Sequence, residues 1–235
     1  MHECTIEPRA SSRVARSREI CHKCPALYNQ LLTNGGSREP GDSCSPQVVD
    51  SPTGAHVTQD IDIKALIRTV PDFPKPGVLF RDITTLLKQA DGFHAVVEKL
   101  GAAYRGRPID KIAAIESRGF IIGAALAYTL RVGLVPIRKK GKLPAENFGH
   151  DYQLEYGTDR LELHTDGIQC DEHVLLVDDL IATGGTAEAA LRLIGMAGGS
   201  VLGCAFVIDL PDLGGRERIE RLGYPVLALC QFPGH

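Results

Sequence analysis

HVLLVDDLIATGGTAEAALRLI, His173 to Ile194, reads as a buried strand, a pair of acids, a short glycine-bearing turn and a helix. His173 to Val177 is a short apolar run rich in Val and Leu, which suits a central parallel strand covered on both faces. Asp178 and Asp179 follow at its carboxyl end, the edge of an open α/β sheet where ligands bind. In Thr183, Gly184, Gly185 and Thr186 the two glycines reach backbone angles closed to other residues, so successive N–H groups can turn inward as an anion nest. The threonine hydroxyls add donors, and the helix starting near Thr186 aims its positive end at the same point. A phosphate monoester is the natural occupant, with the paired acids accepting hydrogen bonds from vicinal hydroxyls of an attached ring. Taken alone, the same string also reads as an ordinary strand-to-helix turn with aspartate caps. Neither G-x-x-x-x-G-K-[ST] nor G-x-G-x-x-G occurs in it.

Working outward, the 235 residues are 43% hydrophobic and 23% charged, ordinary for one globular core. A net charge of −3 argues against an obligate nucleic-acid binder, so any basic site must be local. No apolar run approaches the roughly 18–20 residues that cross a bilayer, so no membrane partner is expected. Seven cysteines without regular spacing argue against a disulfide framework and for a reducing, cytoplasmic setting.

Residues 1–56, rich in Ser, Pro, Gly and Arg and without a sustained period, are read as a disordered or non-native extension, and 57–235 as the single domain. Three readings of the extension stay open. Its arginines suggest a transit peptide, against which Glu3, Glu7 and Glu19 count. Cys21, His22 and Cys24 form a C-x-x-C that could hold metal, without a second pair. Or the segment is not native, and Val57 opens the globular pattern.

Ile61, Ala65 and Ile67 to Val70 suggest a short amphipathic helix stopped by Pro71. Pro71 to Thr84 reads as a stiff extended loop, with a short strand at Val78 to Phe80. Phe93 to Tyr104 has helical spacing. Lys111 to Ile115 is a strand followed by Glu116, Ser117, Arg118 and Gly119, where Arg118 either clamps an anion with its planar fork or is simply solvated. Phe120 to Leu130 is apolar nearly all round and is expected to be a buried helix. After the strand Leu134 to Ile137 come Arg138, Lys139, Lys140 and Lys142, either an anion clamp or a solvated basic face. Ala145 to His150 lacks a period and reads as mobile, and Tyr152–Tyr156 with Arg160–His164 reads as a β-hairpin around Gly157-Thr158-Asp159. Beyond the central motif, Val201–Ile208 and Pro225–Leu229 are strands and Arg216–Leu222 a short helix. Strands alternating with helices predict a central parallel sheet wrapped on both faces.

FPKPGVLFRDIT, ESRGF, IRKKGKLP, YQLEYG, VLLVDDLIATGGT and GRERI occur in that order between about Asp60 and Gln231. Together they resemble the motifs of the type I phosphoribosyltransferases, and among these the adenine-specific branch. The resemblance implies an α/β fold with a mostly parallel twisted sheet flanked by helices, a small N-terminal hood and a flexible lid hairpin. It also implies transfer of the 5-phosphoribosyl group from 5-phosphoribosyl-1-pyrophosphate (PRPP) to adenine, giving AMP and pyrophosphate with Mg²⁺ held mainly by PRPP, in a homodimer.

Carried over residue by residue, it implies that Ala182, Thr183, Gly184, Gly185 and Thr186 bind the 5-phosphate. Asp178 and Asp179 would bind the ribose hydroxyls. Ser117, Arg118, Arg138, Lys139 and Lys142, with His150 nearby, would hold pyrophosphate. The bond before Ser117 would be a cis peptide. Val78, Phe80 and Arg81 match the adenine pocket, and Glu155, beside Tyr156, matches the carboxylate that manages the purine proton. Arg118 and Lys142 would stabilise the leaving group, and Gly141 to Glu155 would form a lid. Glu116 stands where some relatives carry aspartate. Two further readings are a non-catalytic PRPP sensor, against which the first 56 residues show no helix-turn-helix pattern, and the same reaction on hypoxanthine or guanine.

Overall fold

The computed structural model describes residues 61–154 and 157–234. The readings placed on residues 1–56, including Cys21, His22 and Cys24, and those on Glu155 and Tyr156 lie outside the described residues.

The body is a seven-stranded sheet between two layers of helices. In chain order its elements begin with a small antiparallel pair, β1 (Arg68–Pro71) and β2 (Leu79–Asp82), followed by the short helix α1 (Thr84–Leu87) and by α2 (Ala90–Tyr104). Next come β3 (Lys111–Ile115), α3 (Arg118–Leu130), β4 (Gly133–Lys139), β5 (Asn147–Leu154) and β6 (Gly157–His164). The chain closes with β7 (His173–Ile181), α4 (Gly185–Met196), β8 (Ser200–Asp209), α5 (Gly215–Arg221) and β9 (Val226–Gln231). The sheet order is β5-β6-β4-β3-β7-β8-β9. The five strands from β4 to β9 run parallel; β6 pairs antiparallel with β4, and β5 pairs antiparallel with β6 at the edge.

Strand β7 lies in the middle because both its faces are apolar. Val174 and Leu176 enter one hydrophobic cluster with Ala190, Leu193 and Ile194 of α4, and Leu175 and Val177 enter another with Leu100 of α2 and Ile122 and Leu126 of α3. All four strand residues are 0% exposed. Burying each such side chain is worth about 1.5–3 kcal/mol, so the register of β7 against β3 and β8 is strongly fixed.

The structure corrects the sequence reading at four places. The expected helix over Ile61 to Val70 is a single 3-10 turn, Lys64–Leu66, followed by β1, whose residues pair from Arg68↔Asp82 to Pro71↔Leu79. Backbone pairing with β2 outweighs the weak helical spacing. Ile63, Ile67, Ile83 and Leu86 pin this hood to the second cluster. Asn147 to His150, expected to be mobile, is paired strand, with Phe148↔Leu163 and His150↔Leu161. Its alternation is masked at Gly149, where the Arg160 guanidinium occupies the space of a Cβ. The β7 strand runs on through Asp178 and Asp179 to Ile181, because β8 continues to pair with it there. Helix α3 is not buried all round: Gly119, Ile122, Gly123, Leu126 and Ala127 face inward, while Ile121 and Tyr128 are 44% and 88% exposed. Among the described residues no helix is long and apolar enough to cross a membrane.

The hood is tied down by Asp82. Its carboxylate accepts the Thr84 N–H and hydroxyl (2.9 and 2.7 Å) and pairs with Arg68 at 2.5 Å. The Thr84 hydrogen bonds, then those of Arg68, lower its pKa from 3.8 to about 2. A carboxyl depressed on folding contributes stability above its unfolded value and loses it as pH falls through the folded one. The Asp82 contribution is therefore complete above about pH 4 and lost toward about pH 2. Asp82→Asn is expected to lower stability at neutral pH and to flatten the acid limb between these values, read from urea unfolding at a series of pH values.

Candidate active site

The carboxyl ends of β3, β4 and β7 open onto one cavity of about 510 Å³. Its wall includes Glu116, Ser117 and Arg118 after β3, Lys139 and Lys142 at the end of β4, and the run from Asp178 to Ala187. The Thr183–Thr186 turn, the paired acids, Ser117, Arg118 and two of the lysines thus meet in one place, as parallel strands with a common polarity require.

Each part of this wall is locally determined. Gly184 caps α4 with φ +78°, a left-handed angle that favours glycine, and the first turn of α4 lines the cavity. The turn is also seated on α5. A Cβ on Gly184 would lie 2.9 Å from the Gly215 carbonyl, and one on Gly215 would lie 2.2 Å from the Ala182 carbonyl. Arg218 of α5 donates to Glu188 at 2.7 Å and to the Thr183 carbonyl at 3.4 Å, fixing a cation behind the turn. Arg216 holds α5 itself, donating to the Val226 carbonyl at 2.6 Å and reaching the buried Asp209 at 3.4 Å.

The two acids meet different residues of the first turn of α3. Asp179 pairs with Arg118 at 2.8 Å. Asp178 accepts the Asp179 N–H at 2.8 Å and packs on α3, where a Cβ on Gly119 would come within 2.6 Å of its Oδ1. The glycine of ESRGF thereby makes room for the first acid of VDD. Burial and then the adjacent Asp179 charge push the Asp178 carboxyl well above its ordinary range. Burial raises Asp179 too, against the pull of Arg118.

The Glu116–Ser117 peptide is cis, as the resemblance implied. The Glu116 carboxylate accepts from Arg138 Nε at 3.1 Å, from the Lys139 N–H at 2.9 Å and from Lys142 Nζ. Burial works to raise its pKa, but the Lys142, Lys139 and Arg138 donors together hold it below the ordinary value. Lys139 pairs with Asp159 of β6 at 3.1 Å, and Tyr152 of β5 joins the wall beside them.

Other expected site residues stand apart from this cavity wall. Arg138 meets it through Glu116 and the Lys142 carbonyl, and His150 lies on β5 opposite Leu161. Val78, Phe80 and Arg81 belong to the hood rather than the wall. The Phe80 ring lies 4.9 Å from the Arg118 guanidinium, with Phe73 edge-on at 5.1 Å. The Arg81 side chain is buried, donating to Thr69 (2.5 Å) and the Pro233 carbonyl (2.9 Å) over the Phe232 ring, while its own carbonyl accepts from Arg118 at 3.4 Å. An aromatic platform therefore adjoins the cavity across Arg118.

Asp159 had no functional reading in the sequence; Glu116 was noted only as the acid of ESRGF, and Tyr152, Gly215 and Arg218 only as members of YQLEYG and GRERI. The alternation of Tyr152 in β5 and the glycine pair opening GRERI were the available signals.

Residues 83–222 match the family described as Phosphoribosyl transferase domain. The chain is 64% identical over 172 residues to an adenine phosphoribosyltransferase of Methylobacillus flagellatus, covering 73% of this chain and 98% of that one. It is 58% identical over 175 residues to that of Parvibaculum lavamentivorans, covering 74% and 100%. Among solved structures, the adenine phosphoribosyltransferase of Thermoanaerobacter pseudethanolicus superposes with a TM-score of 0.70 at 49% identity, covering 72% of this chain and 98% of that one. That of Saccharomyces cerevisiae, complexed with adenine and an imino-altritol bisphosphate, does so at 0.67 and 38% identity, covering 74% and 98%.

Gly215→Ala is expected to weaken ribose 5-phosphate binding by about tenfold or more, because the new methyl must push the Ala182 carbonyl and the turn aside. Gly195→Ala, whose Cβ would meet nothing within 4 Å, should leave binding unchanged. Calorimetric titration of both variants, with thermal melts to establish folding, reads the difference.

Proposed function

The chain belongs to the phosphoribosyl transferase domain family and, within it, to the adenine phosphoribosyltransferases; on that premise we propose that it transfers the 5-phosphoribosyl group of PRPP to adenine, releasing pyrophosphate and forming AMP for purine salvage. The observation that carries this reading is the meeting, in one cavity, of the phosphate turn, the paired acids and the cationic turn after β3.

In this reading the backbone N–H groups of Ala182–Thr186 hold the 5-phosphate, backed by the α4 dipole and the Arg218 cation. Asp178 and Asp179 take the ribose hydroxyls. Ser117 and Arg118, with Arg138, Lys139 and Lys142 and with His150 near, receive the pyrophosphate. Adenine stacks in the hood on Phe80, with Val78 and the Arg81 backbone reading its edge. That requires the Phe80–Arg118 contact to be shared between the two sites, which is a reason for the base and the leaving group to bind on either side of one guanidinium.

Positive charge develops on the ribose as the anomeric C–O bond loosens, and negative charge gathers on the departing oxygens. Arg118 and Lys142 stabilise the latter, in a site where a fixed charge counts for more than in water. The oxygen donors of Asp178 and Asp179 suit a hard dication, and Mg²⁺ carried in mainly on PRPP would supply neutralisation of the diphosphate. The stretch from Gly141 to Glu155 serves as the lid that excludes water. Its β5 portion already lies against the phosphate turn, with the Gln153 carbonyl 3.4 Å from where a Gly185 Cβ would be. Glu155 manages the purine proton.

The enzyme works as a homodimer in the cytoplasm. Ile121 and Tyr128 of α3 and Leu134 of β4 are large apolar side chains left exposed, which supports self-association. The thiols of Cys204 and Cys230, which are free, suit a reducing compartment.

Purified protein given labelled adenine, PRPP and Mg²⁺ should form AMP, and adenine should outcompete hypoxanthine and guanine. A chain starting at Val57 should match the full chain in this assay. Folded protein that makes no AMP would refute the assignment. Glu155→Gln is expected to lower kcat by more than it raises the KM for adenine; the opposite pattern removes its proton role.

A further inference from the structure

The cations assigned to pyrophosphate are already paired with carboxylates of this chain. Arg118 faces Asp179, Lys139 faces Asp159, and Arg138 and Lys142 both face Glu116. Glu116 differs from the other two acids in holding two side-chain cations at once, and it accepts the Lys139 backbone N–H as well. Its side chain is only 5% exposed, whereas those of Arg138 and Lys142 are 35% and 46% exposed. The carboxylate is the fixed member of the trio, and the cations are the members with room to turn. One anion gripping two cations at the mouth of an anion site is the arrangement an incoming diphosphate would itself set up.

We propose that Glu116 is a built-in counter-anion that holds Arg138 and Lys142 in place before diphosphate arrives and yields them to it. This rests on the phosphoribosyl-transfer reading of the cavity. Glu116 is a positioning residue: it acts through the two cations and touches no reacting atom.

Two effects of the carboxylate oppose each other. By holding two long side chains it lowers the entropy lost when they bind an anion. By standing as a negative charge beside the incoming one, it competes for the same cations and repels it. The second effect dominates, because Glu116 is buried where salt screens little. Arg138 also keeps a second anchor, donating to the Lys142 carbonyl at 3.3 Å, so its position does not depend on Glu116 alone. A diphosphate carries enough charge to displace the carboxylate; a phosphate monoanion carries less and is held off. The same competition hastens departure of the pyrophosphate product.

Calorimetric titration of inorganic pyrophosphate with Mg²⁺, and of inorganic phosphate, into the wild type, Glu116→Gln and Glu116→Asp tests this. Glu116→Gln removes the charge at nearly constant shape and should bind pyrophosphate about tenfold or more tighter. It should bind phosphate more tightly too, with kcat and the KM for PRPP falling together as product is retained. Glu116→Asp, its carboxylate withdrawn by one methylene, should fall between the two, and it decides the question if Glu116→Gln does not fold. A merely structural Glu116 would give the opposite sign, so pyrophosphate binding by folded variants that is equal to or weaker than wild type overturns the proposal. Wild-type protein that neither binds pyrophosphate nor forms AMP would instead overturn the phosphoribosyl-transfer reading itself.

Discussion

Val174 to Val177 are wholly buried between two hydrophobic clusters that face opposite sides of the sheet, and this double burial fixes where β7 ends and which way its end points. A strand clamped on both faces cannot slip by one residue without exchanging its two side-chain sets. The position of Asp178, Asp179 and the turn after them follows from that constraint. Since β3 and β4 run parallel beside β7, their own carboxyl ends arrive at the same edge, bringing Glu116 to Arg118 and Arg138 to Lys142 with them.

The glycine turn after β7 needs a second support, because a glycine pair that frees the backbone for a tight turn also frees it for other conformations. That support comes from α5. Gly215 lets its backbone approach the Ala182 carbonyl, Arg218 braces the Thr183 carbonyl, and Arg216 ties α5 to Asp209 and Val226. The rigid sheet thus reaches around the far side of the turn, and the cradle is held from two directions.

Electrostatically the site is an exception to the rest of the molecule. The chain carries a net charge of −3, yet four cations converge on one cavity and its rim. Gathering like charges is costly, and the structure offsets the cost with three acids from neighbouring strands, Arg138 and Lys142 sharing Glu116. The site is therefore close to neutral before it binds anything, and its affinity for an anion is a difference between the charge it receives and the carboxylates that must give way.

The sequence by itself determined the strand, turn and helix from His173 to Ile194, the helix α2 and the alternation that makes a parallel sheet. These depend on contacts within a few residues: a glycine at a left-handed angle, an apolar run, a repeat of 3.6. The motif order carried the family, and the placing of the glycine turn and paired acids at a strand's carboxyl end was legible. Tertiary structure alone decided that Arg68–Pro71 is strand, since its partner β2 lies beyond a loop, and that Asn147–His150 pairs with β6. It alone decided that Glu116 meets Arg138 and Lys142, and that Gly215 seats the turn at Ala182. Those contacts join residues separated in the chain by other elements, and they exist only once the register across the sheet has been set by burial, a quantity no local window contains.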